Sequence, residues 1–224
     1  MFAFLLPQRC LACGQEIETG FLCNNCHDYL PVAHSPRCRW CGRPIKKKDI
    51  CTFCKQGTHL DHGRTWLLFV PPVDVIIHAF KYRRMSNISR LLGQGMTTVV
   101  RSDHVLRKAD IVTPVPLFWW KRMHRTYNQA SLLSKVISDE CHIPHAELLQ
   151  RIRYTRTQTR LDDAARRKNV ASAFSVKKSA IQDKNILLVD DVMTTGATMN
   201  ECARTLKAAG AKEVYSCVAA ITPE

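Results

Sequence analysis

Beyond residue 62, apolar residues recur in short blocks that alternate between strand-like runs and the spacing of an amphipathic helix. Strands are predicted at residues 65–70, 110–115, 186–189 and 214–221. Helices are predicted at residues 75–82, 88–100, 128–141 and 198–209, and Gly210 should end the last of them. Strands that alternate with helices indicate an α/β fold, in which helices cover a parallel sheet.

Two stretches depart from this alternation. Residues 1–62 are rich in cysteine and polar loops, so we predict a small module there and an α/β domain at 63–224. Residues 150–172 are polar and without periodicity, and we predict a long loop of the kind that is usually functional or disordered. No apolar run approaches the roughly 18 residues that span a bilayer. The short apolar start before Pro7 lacks a basic region, so we expect no signal peptide, no membrane insertion and a cytoplasmic location.

Eight of the eleven cysteines form Cys-x-x-Cys pairs within the first 54 residues. The pairs are Cys10/Cys13, Cys23/Cys26, Cys38/Cys41 and Cys51/Cys54. Two such turns supply the four thiolates of a tetrahedral zinc site, so the four pairs predict two Zn²⁺ ions, both structural because protein fills every position. The separating gaps of 9, 11 and 9 residues favour sequential pairing, with a cross-braced arrangement as the alternative. A disulfide framework would need an oxidising compartment, which nothing indicates.

The segment from Ile186 to Thr198 joins an apolar strand to a helix through two acids and a loop of small residues. The strand should place Asp190 and Asp191 at the carboxyl edge of the sheet, where α/β proteins bind ligands, and adjacent carboxylates can accept hydrogen bonds from ribose hydroxyls. The loop offers backbone N–H groups, hydroxyls and the positive end of a helix to an anion. Its members are Thr194, Thr195, Gly196, Ala197 and Thr198.

This segment resembles the phosphoribosyl-diphosphate motif of type I phosphoribosyltransferases. The resemblance implies that Asp190 and Asp191 are the catalytic acids that hold the ribose, that residues 194–198 bind the 5′-phosphate, and that Mg²⁺ accompanies the diphosphate. Further segments, taken with the cysteine pairs, resemble the ComF/GntX family over nearly the whole chain. They are Phe80-Lys-Tyr82, Pro114-Val-Pro116, Arg125-Thr-Tyr-Asn-Gln129 and the series Gln158, Arg166, Asn169 and Phe174.

The ComF/GntX resemblance implies a type I phosphoribosyltransferase-like sheet with helices on both faces, preceded by a double zinc ribbon. It also implies phosphoribosyl diphosphate as a ligand, and a role in taking up and using external DNA, with protein partners from an uptake system. Lys121, Arg122 and Arg125 occupy a position similar to the pyrophosphate loop of that fold, where cations would neutralise the diphosphate. Residues 151–168, with seven Lys/Arg and two Asp, resemble its mobile flap.

Positive charge opens a second interpretation. The formal net charge is +14, of which +11 lies beyond residue 62. Cations beside aromatic rings suit single-stranded DNA, through phosphate neutralisation and base stacking. The aromatic residues near these cations are Trp119, Trp120, Tyr127 and Tyr154.

The favoured interpretation is therefore a phosphoribosyltransferase-fold protein that binds phosphoribosyl diphosphate and acts in DNA uptake or utilisation. Three alternatives stay open from the sequence. The chain could be an active phosphoribosyltransferase of nucleobase salvage, a single-stranded-DNA-binding protein, or a non-catalytic zinc-ribbon adaptor.

Overall fold

A computed structural model describes residues 8–46, 49–117, 127–152, 172–177 and 181–224 of the chain. The strands are β1 (Gln8–Arg9), β2 (Glu16–Ile17), β3 (His62–Leu68), β4 (Ile111–Pro114), β5 (Leu149–Arg151), β6 (Phe174–Val176), β7 (Asn185–Met193) and β8 (Glu213–Ile221). The helices are α1 (Asn24–Asp28), α2 (Thr52–Lys55), α3 (Val73–Tyr82), α4 (Ile88–Ser102), α5 (Gln129–Cys141) and α6 (Ala197–Ala208), with a 3₁₀ turn at Leu106–Lys108.

Four parallel strands form the central sheet in the order β3-β8-β7-β4. One face is covered by α3, α4 and most of α5, through side chains such as Phe80, Leu92 and Leu133. The other face is covered by α6, through Met199 and Leu206. The predicted α/β class, a parallel sheet with helices on both faces, is confirmed.

Strand boundaries depart from the prediction where pairing extends a strand. β7 does not end at Val189 but continues through both aspartates, because Asp190 pairs with Val218 and Met193 with Ile221 of β8. A short antiparallel pair, β5 with β6, was not predicted and brings the ends of the polar stretch together. The predicted loop between them lies, over 153–171, outside the described residues.

The cysteine-rich region divides into two parts that pack differently. Its first part contacts the α3–α4 face through Leu11, Phe21 and Leu22. Its second part contributes all four of its cysteines to the same apolar core as Met193 and α6. The domain boundary at residues 62/63 stays a prediction, and the apolar core on the α6 side extends across it.

Two glycines allow the second part to touch the sheet directly. A Cβ on Gly42, which has φ +75°, would lie 2.6 Å from the Cα of Arg64, and a Cβ on Gly63 would lie 2.6 Å from the carbonyl oxygen of Trp40. The N–H of Gly63 also donates to the carbonyl of Arg39 at 3.1 Å. Backbone therefore packs on backbone here, which only residues without a Cβ permit.

Within the described ranges, no helix has the length and apolar character needed to cross a lipid bilayer.

Candidate functional site

The two aspartates lie near the carboxyl end of β7, on opposite faces of the strand as its alternation requires. Asp191 is buried and its Oδ1 lies 3.1 Å from Nζ of Lys81 at the end of α3. Asp190 is half-buried, and its Oδ1 accepts a hydrogen bond of 2.8 Å from the N–H of Asp191. Asp190 alone of the pair lines the cleft beside the following turn.

Residues 194–196 form that turn and lead into α6. Gly196 precedes the helix in the left-handed region, with φ +79°, and a Cβ there would also lie 3.3 Å from Sδ of Met193. The first helical hydrogen bond runs from Asn200 N–H to Gly196 O at 2.8 Å, so the amides just before Asn200 lack a partner in the preceding turn of helix. The chain changes direction at Gly196, and a glycine adopts the required left-handed conformation without strain. The amides that follow can then face outward, toward an anion.

The turn is accessible from solvent. Thr194 is exposed and residues 195–198 are half-buried. A cleft of about 70 Å³ lies on this side of the turn, lined by Asp190 and residues 192–199. The structure thus brings Asp190 together with all five predicted loop residues, around the positive end of a twelve-residue helix.

Several predicted residues lie outside the described part of the chain. They are Lys121, Arg122, Arg125, Trp119, Trp120 and Tyr154. Tyr127 is described, and its hydroxyl donates to the carbonyl of Phe80 at 2.6 Å while its ring packs on Phe80. Burial raises the pKa of Tyr127. This aromatic side chain therefore packs against the body of the α/β domain.

Arg43 is a residue of this site that the sequence analysis missed. Its guanidinium is buried and donates to the carbonyls of Thr194, the first residue of the turn, and Thr222, just beyond β8. It also stacks on the ring of Phe53, 4.5 Å from the centroid. Arg43 and Thr194 are 151 positions apart, so no local pattern could have pointed to their contact.

Lys81 was predicted only as part of a family-like segment and not as a site residue. Its ammonium group neutralises Asp191 at a depth where an unpaired carboxylate would be costly. Arg151, at the end of β5, also interacts electrostatically with the site. Burial lowers the pKa of its guanidinium, and the negative charge of Asp190 acts in the opposite direction.

The eight cysteines of the pairs form two separate four-sulfur clusters. Cys10, Cys13, Cys23 and Cys26 make the first, and Cys38, Cys41, Cys51 and Cys54 the second, with the sulfurs of each within 4.8 Å of one another. Sequential pairing is therefore confirmed over the cross-braced alternative.

The donor set of each cluster fits zinc. Tetrahedral Zn–S bonds of about 2.3 Å separate sulfurs by roughly 3.8 Å. The distance from Cys13 Sγ to Cys23 Sγ is 3.8 Å, and that from Cys41 Sγ to Cys51 Sγ is 3.6 Å. The N–H of Cys54 points at Cys51 Sγ at 3.4 Å, as expected for a supported thiolate. Both clusters are structural in character, because four thiolates leave no open position.

Comparison with known proteins agrees with this geometry. A double zinc ribbon domain matches residues 1–55, and a phosphoribosyl transferase domain matches residues 130–224. Competence protein F of Haemophilus influenzae is 31% identical over 216 residues, which cover 87% of this chain and 94% of that protein. The chain belongs to the ComF family. This ComF-family chain is also 32% identical to the DNA utilization protein YhgH of Escherichia coli K12, over 86% of its own length and 93% of that protein.

The chain also has more distant similarities. Competence protein ComFC of Bacillus subtilis is 24% identical, over 83% of this ComF-family chain and 77% of that protein. Among solved structures, the glutamine phosphoribosylpyrophosphate amidotransferase of B. subtilis has a TM-score of 0.42 and 21% identity, over 59% of this chain and 26% of its own. A TM-score this low adds nothing to the family assignment.

Proposed function

We propose that this ComF-family chain binds phosphoribosyl diphosphate, with Mg²⁺, in the cleft between Asp190 and the turn at residues 194–198. One observation carries the proposal: a carboxylate and an open, anion-binding helix start line the same small cleft. The carboxylate would accept hydrogen bonds from the ribose hydroxyls, and the turn amides would donate to the 5′-phosphate.

The two acids have different parts in this proposal. Asp190 would contact the ribose directly, because it lines the cleft. Asp191, held by Lys81, would complete the acidic pair that we assign as catalytic. Mg²⁺ would sit mainly on diphosphate and ribose oxygens, because this ion keeps much of its coordination to water and substrate. Lys121, Arg122 and Arg125 would neutralise the diphosphate, on the strength of their sequence position.

Calorimetric titration with phosphoribosyl diphosphate, with and without Mg²⁺, tests the proposal. The double variant Asp190→Asn with Asp191→Asn keeps the side-chain shape but removes both charges. We expect affinity to fall by about 100-fold, since each charge-assisted hydrogen bond contributes about 1.5–3 kcal/mol. Asp139→Asn, an exposed position on α5, is the matched control and should bind as the unmodified chain does. No binding by the unmodified chain in the presence of Mg²⁺ would overturn the proposal.

The names of the relatives support a cellular role. Competence protein F and the DNA utilization protein YhgH carry names that refer to taking up or using DNA. We propose the same role here, in the cytoplasm and with partners from an uptake system. In a deletion strain, the unmodified gene should restore growth on DNA as a nutrient, and the double aspartate variant should not. An adaptor that works only through its zinc ribbons would be unaffected by that variant.

Turnover is a separate step. If the chain is a transferase, a nitrogenous acceptor displaces pyrophosphate at C1 of the ribose, and no protein nucleophile is needed. Release of pyrophosphate across a panel of nucleobases measures this. If no base supports release, the bound ligand acts as a signal or structural cofactor.

Binding of single-stranded DNA is the second candidate, and the net charge of +14 favours it. Exposed arginines at Arg83, Arg84 and Arg90 lie near the junction of α3 and α4. Affinity should fall steeply with salt, by a slope of about 0.7 per neutralised phosphate on a double-logarithmic plot. Affinity that is constant between low and high salt would contradict this candidate.

A further inference from the structure

Arg43 joins the second zinc cluster to the turn at residues 194–196, which we call the phosphate turn after its proposed ligand, and hydrogen bonds fix both ends of this connection. At the zinc end, the carbonyl of Arg43 accepts from the N–H of Cys38 at 2.7 Å, and the N–H of Gly42 donates to the carbonyl of Cys38 at 2.8 Å. Arg43 thus belongs to the turn that carries the ligands Cys38 and Cys41. Its backbone conformation is therefore tied to that of the turn.

The Cys51–Cys54 turn also contacts the side chain of Arg43. Phe53 lies between the ligands Cys51 and Cys54 on α2, and its ring stacks on the Arg43 guanidinium, 4.5 Å from its centroid. Arg43 is only 1% exposed. Both halves of the four-cysteine site therefore fix the direction of one buried cation.

At the other end, Arg43 holds the carboxyl ends of two neighbouring strands. Its two terminal nitrogens donate to the carbonyls of Thr194, after β7, and Thr222, after β8. The N–H of Thr222 donates in turn to the carbonyl of Met193 at 3.0 Å. Thr194 is the first residue of the phosphate turn, so its carbonyl sets the orientation of the peptide from which the turn begins.

The described residues leave a space between the two ends. A cavity of about 120 Å³ separates the zinc turns from the start of α6. It is lined on one side by Arg43 and Phe53 and on the other by Thr195, Gly196 and Asn200. Among the described residues, the hydrogen bonds of Arg43 are a direct polar link across this cavity. The N–H of His59 provides another, to Asn200 Oδ1 at 2.6 Å.

We propose that Arg43 is the positioning residue through which the metal-closed second zinc ribbon sets the shape of the phosphate turn. This inference rests on the proposed binding of phosphoribosyl diphosphate at that turn. Arg43 would act without touching the ligand, because its guanidinium is buried and donates to backbone carbonyls. It acts by keeping the Thr194 carbonyl turned back toward the ribbon, so that the amides after it face the cleft.

The test compares Arg43→Gln and Arg43→Lys with Arg39→Gln in the full-length protein. Arg39 lies in the same zinc turn but is exposed, and its guanidinium stacks on the Trp40 ring. Three quantities are measured: zinc per chain, hydrogen exchange of residues 194–199, and affinity for phosphoribosyl diphosphate with Mg²⁺.

Arg43→Gln should retain two zinc ions, exchange faster at 194–199 and bind about tenfold more weakly, a typical coupling between linked sites. Arg43→Lys can donate to one of the two carbonyls, so its exchange rate and affinity should lie between those of Arg43→Gln and the unmodified chain. Arg39→Gln should match the unmodified chain. Unchanged exchange and affinity in Arg43→Gln would overturn the inference. Loss of zinc in both Arg43 variants would also overturn it, because Arg43 would then hold the ribbon itself together.

The two proposals can fail separately. If the unmodified chain does not bind phosphoribosyl diphosphate but Arg43→Gln accelerates exchange at 194–199, the proposed function fails and the structural link from Arg43 to the turn stands. If the unmodified chain binds and Arg43→Gln binds equally well, the link fails and the proposed function stands.

Discussion

The two zinc clusters have the same ligands and the same spacing within each cluster, yet they are differently placed in the molecule. In the first, only Cys10 is buried and Cys13 is exposed. In the second, all four cysteines are buried within the core that also contains Met193 and Met199. Identical cysteine spacing therefore produces the same four-sulfur arrangement, while the packing around it decides which part of the molecule each cluster supports.

Polar contacts sharpen the contrast. From the second ribbon, Arg43 reaches the phosphate turn, and Thr52 donates through its N–H and hydroxyl to the carboxylate of Glu224. The first ribbon meets the body through apolar side chains against the α3–α4 face. We infer that the second ribbon is integrated into the core of the α/β body, and that the first ribbon packs on its surface.

The largest expected effect comes from removing a ligand of the second cluster. Cys41→Ser should release one zinc ion and lower the free energy of unfolding by more than about 4 kcal/mol, or prevent folding, because loss of a structural metal opens the core. Urea unfolding and zinc analysis measure both.

The matched control for this prediction is Cys202→Ser. Cys202 is a buried thiol in the same core but lies on α6, away from the metal. It should keep both zinc ions and lose less stability. An equal loss in the two variants would mean that the second zinc contributes no more than an ordinary buried thiol, and the contrast between the ribbons would disappear.

An intermediate effect is expected at the charge cluster where β3 meets the second ribbon. Asp103 Oδ2 lies 2.7 Å from Nε of Arg64 and 3.0 Å from Nε2 of His62. Burial lowers the pKa of His62. Burial alone would raise the pKa of Asp103, but the His62 hydrogen bond, the N–H of Leu106 and the charge of Arg64 outweigh it, so that pKa is lowered too.

The pH dependence follows from these two directions. Both groups have a folded-state pKa below the unfolded value, so the unfolded chain binds more protons and acid favours it. Stability should be complete above about pH 6.5, then decline in the histidine range and again below about pH 4. Asp103→Asn should cost about 2 kcal/mol at pH 7.5 and flatten the second decline in urea unfolding. A variant with the same profile as the unmodified chain would contradict this.

The smallest effect on the candidate site should come from the first cluster. Cys13→Ser should leave one zinc ion per chain, change the stability of the α/β body by less than about 1 kcal/mol, and leave the affinity for phosphoribosyl diphosphate within about twofold. Zinc analysis and calorimetry measure this. If binding instead weakens as much as in Arg43→Gln, the first ribbon also shapes the phosphate turn, and the two ribbons do not differ as proposed.

Sequence reasoning succeeded where the determining interactions are local. The two zinc clusters follow from turns in which the ligands are three positions apart, and sequential pairing follows from the short gaps between them. The turn at residues 194–196 was predicted from a run of adjacent residues, and Gly196 has the left-handed conformation that such a turn requires, while its binding of a phosphate stays a prediction. Local geometry of this kind is encoded by residue type and spacing alone.

It failed where the determining contact joins distant parts of the chain. Arg43 was not singled out, and Lys81 was named only within a family-like segment, because their partners Thr194 and Asp191 are far away in sequence. β7 is longer than predicted since its last residues pair with β8, although two acids there suggested that the strand had ended. Such assignments depend on tertiary pairing, which overrides local preference.

The contact between Gly42 and Gly63 sets how near the second ribbon can approach the sheet. Each lacks the one carbon atom that would collide with the opposite backbone, at 2.6 Å in either direction. The hydrogen bonds of Arg43 to the carbonyls of Thr194 and Thr222 depend on that separation, because a wider gap would lengthen them. A methyl group added at either glycine would therefore push the second ribbon away from the sheet. The strands and the zinc site could each remain intact while the Arg43 link between them was broken.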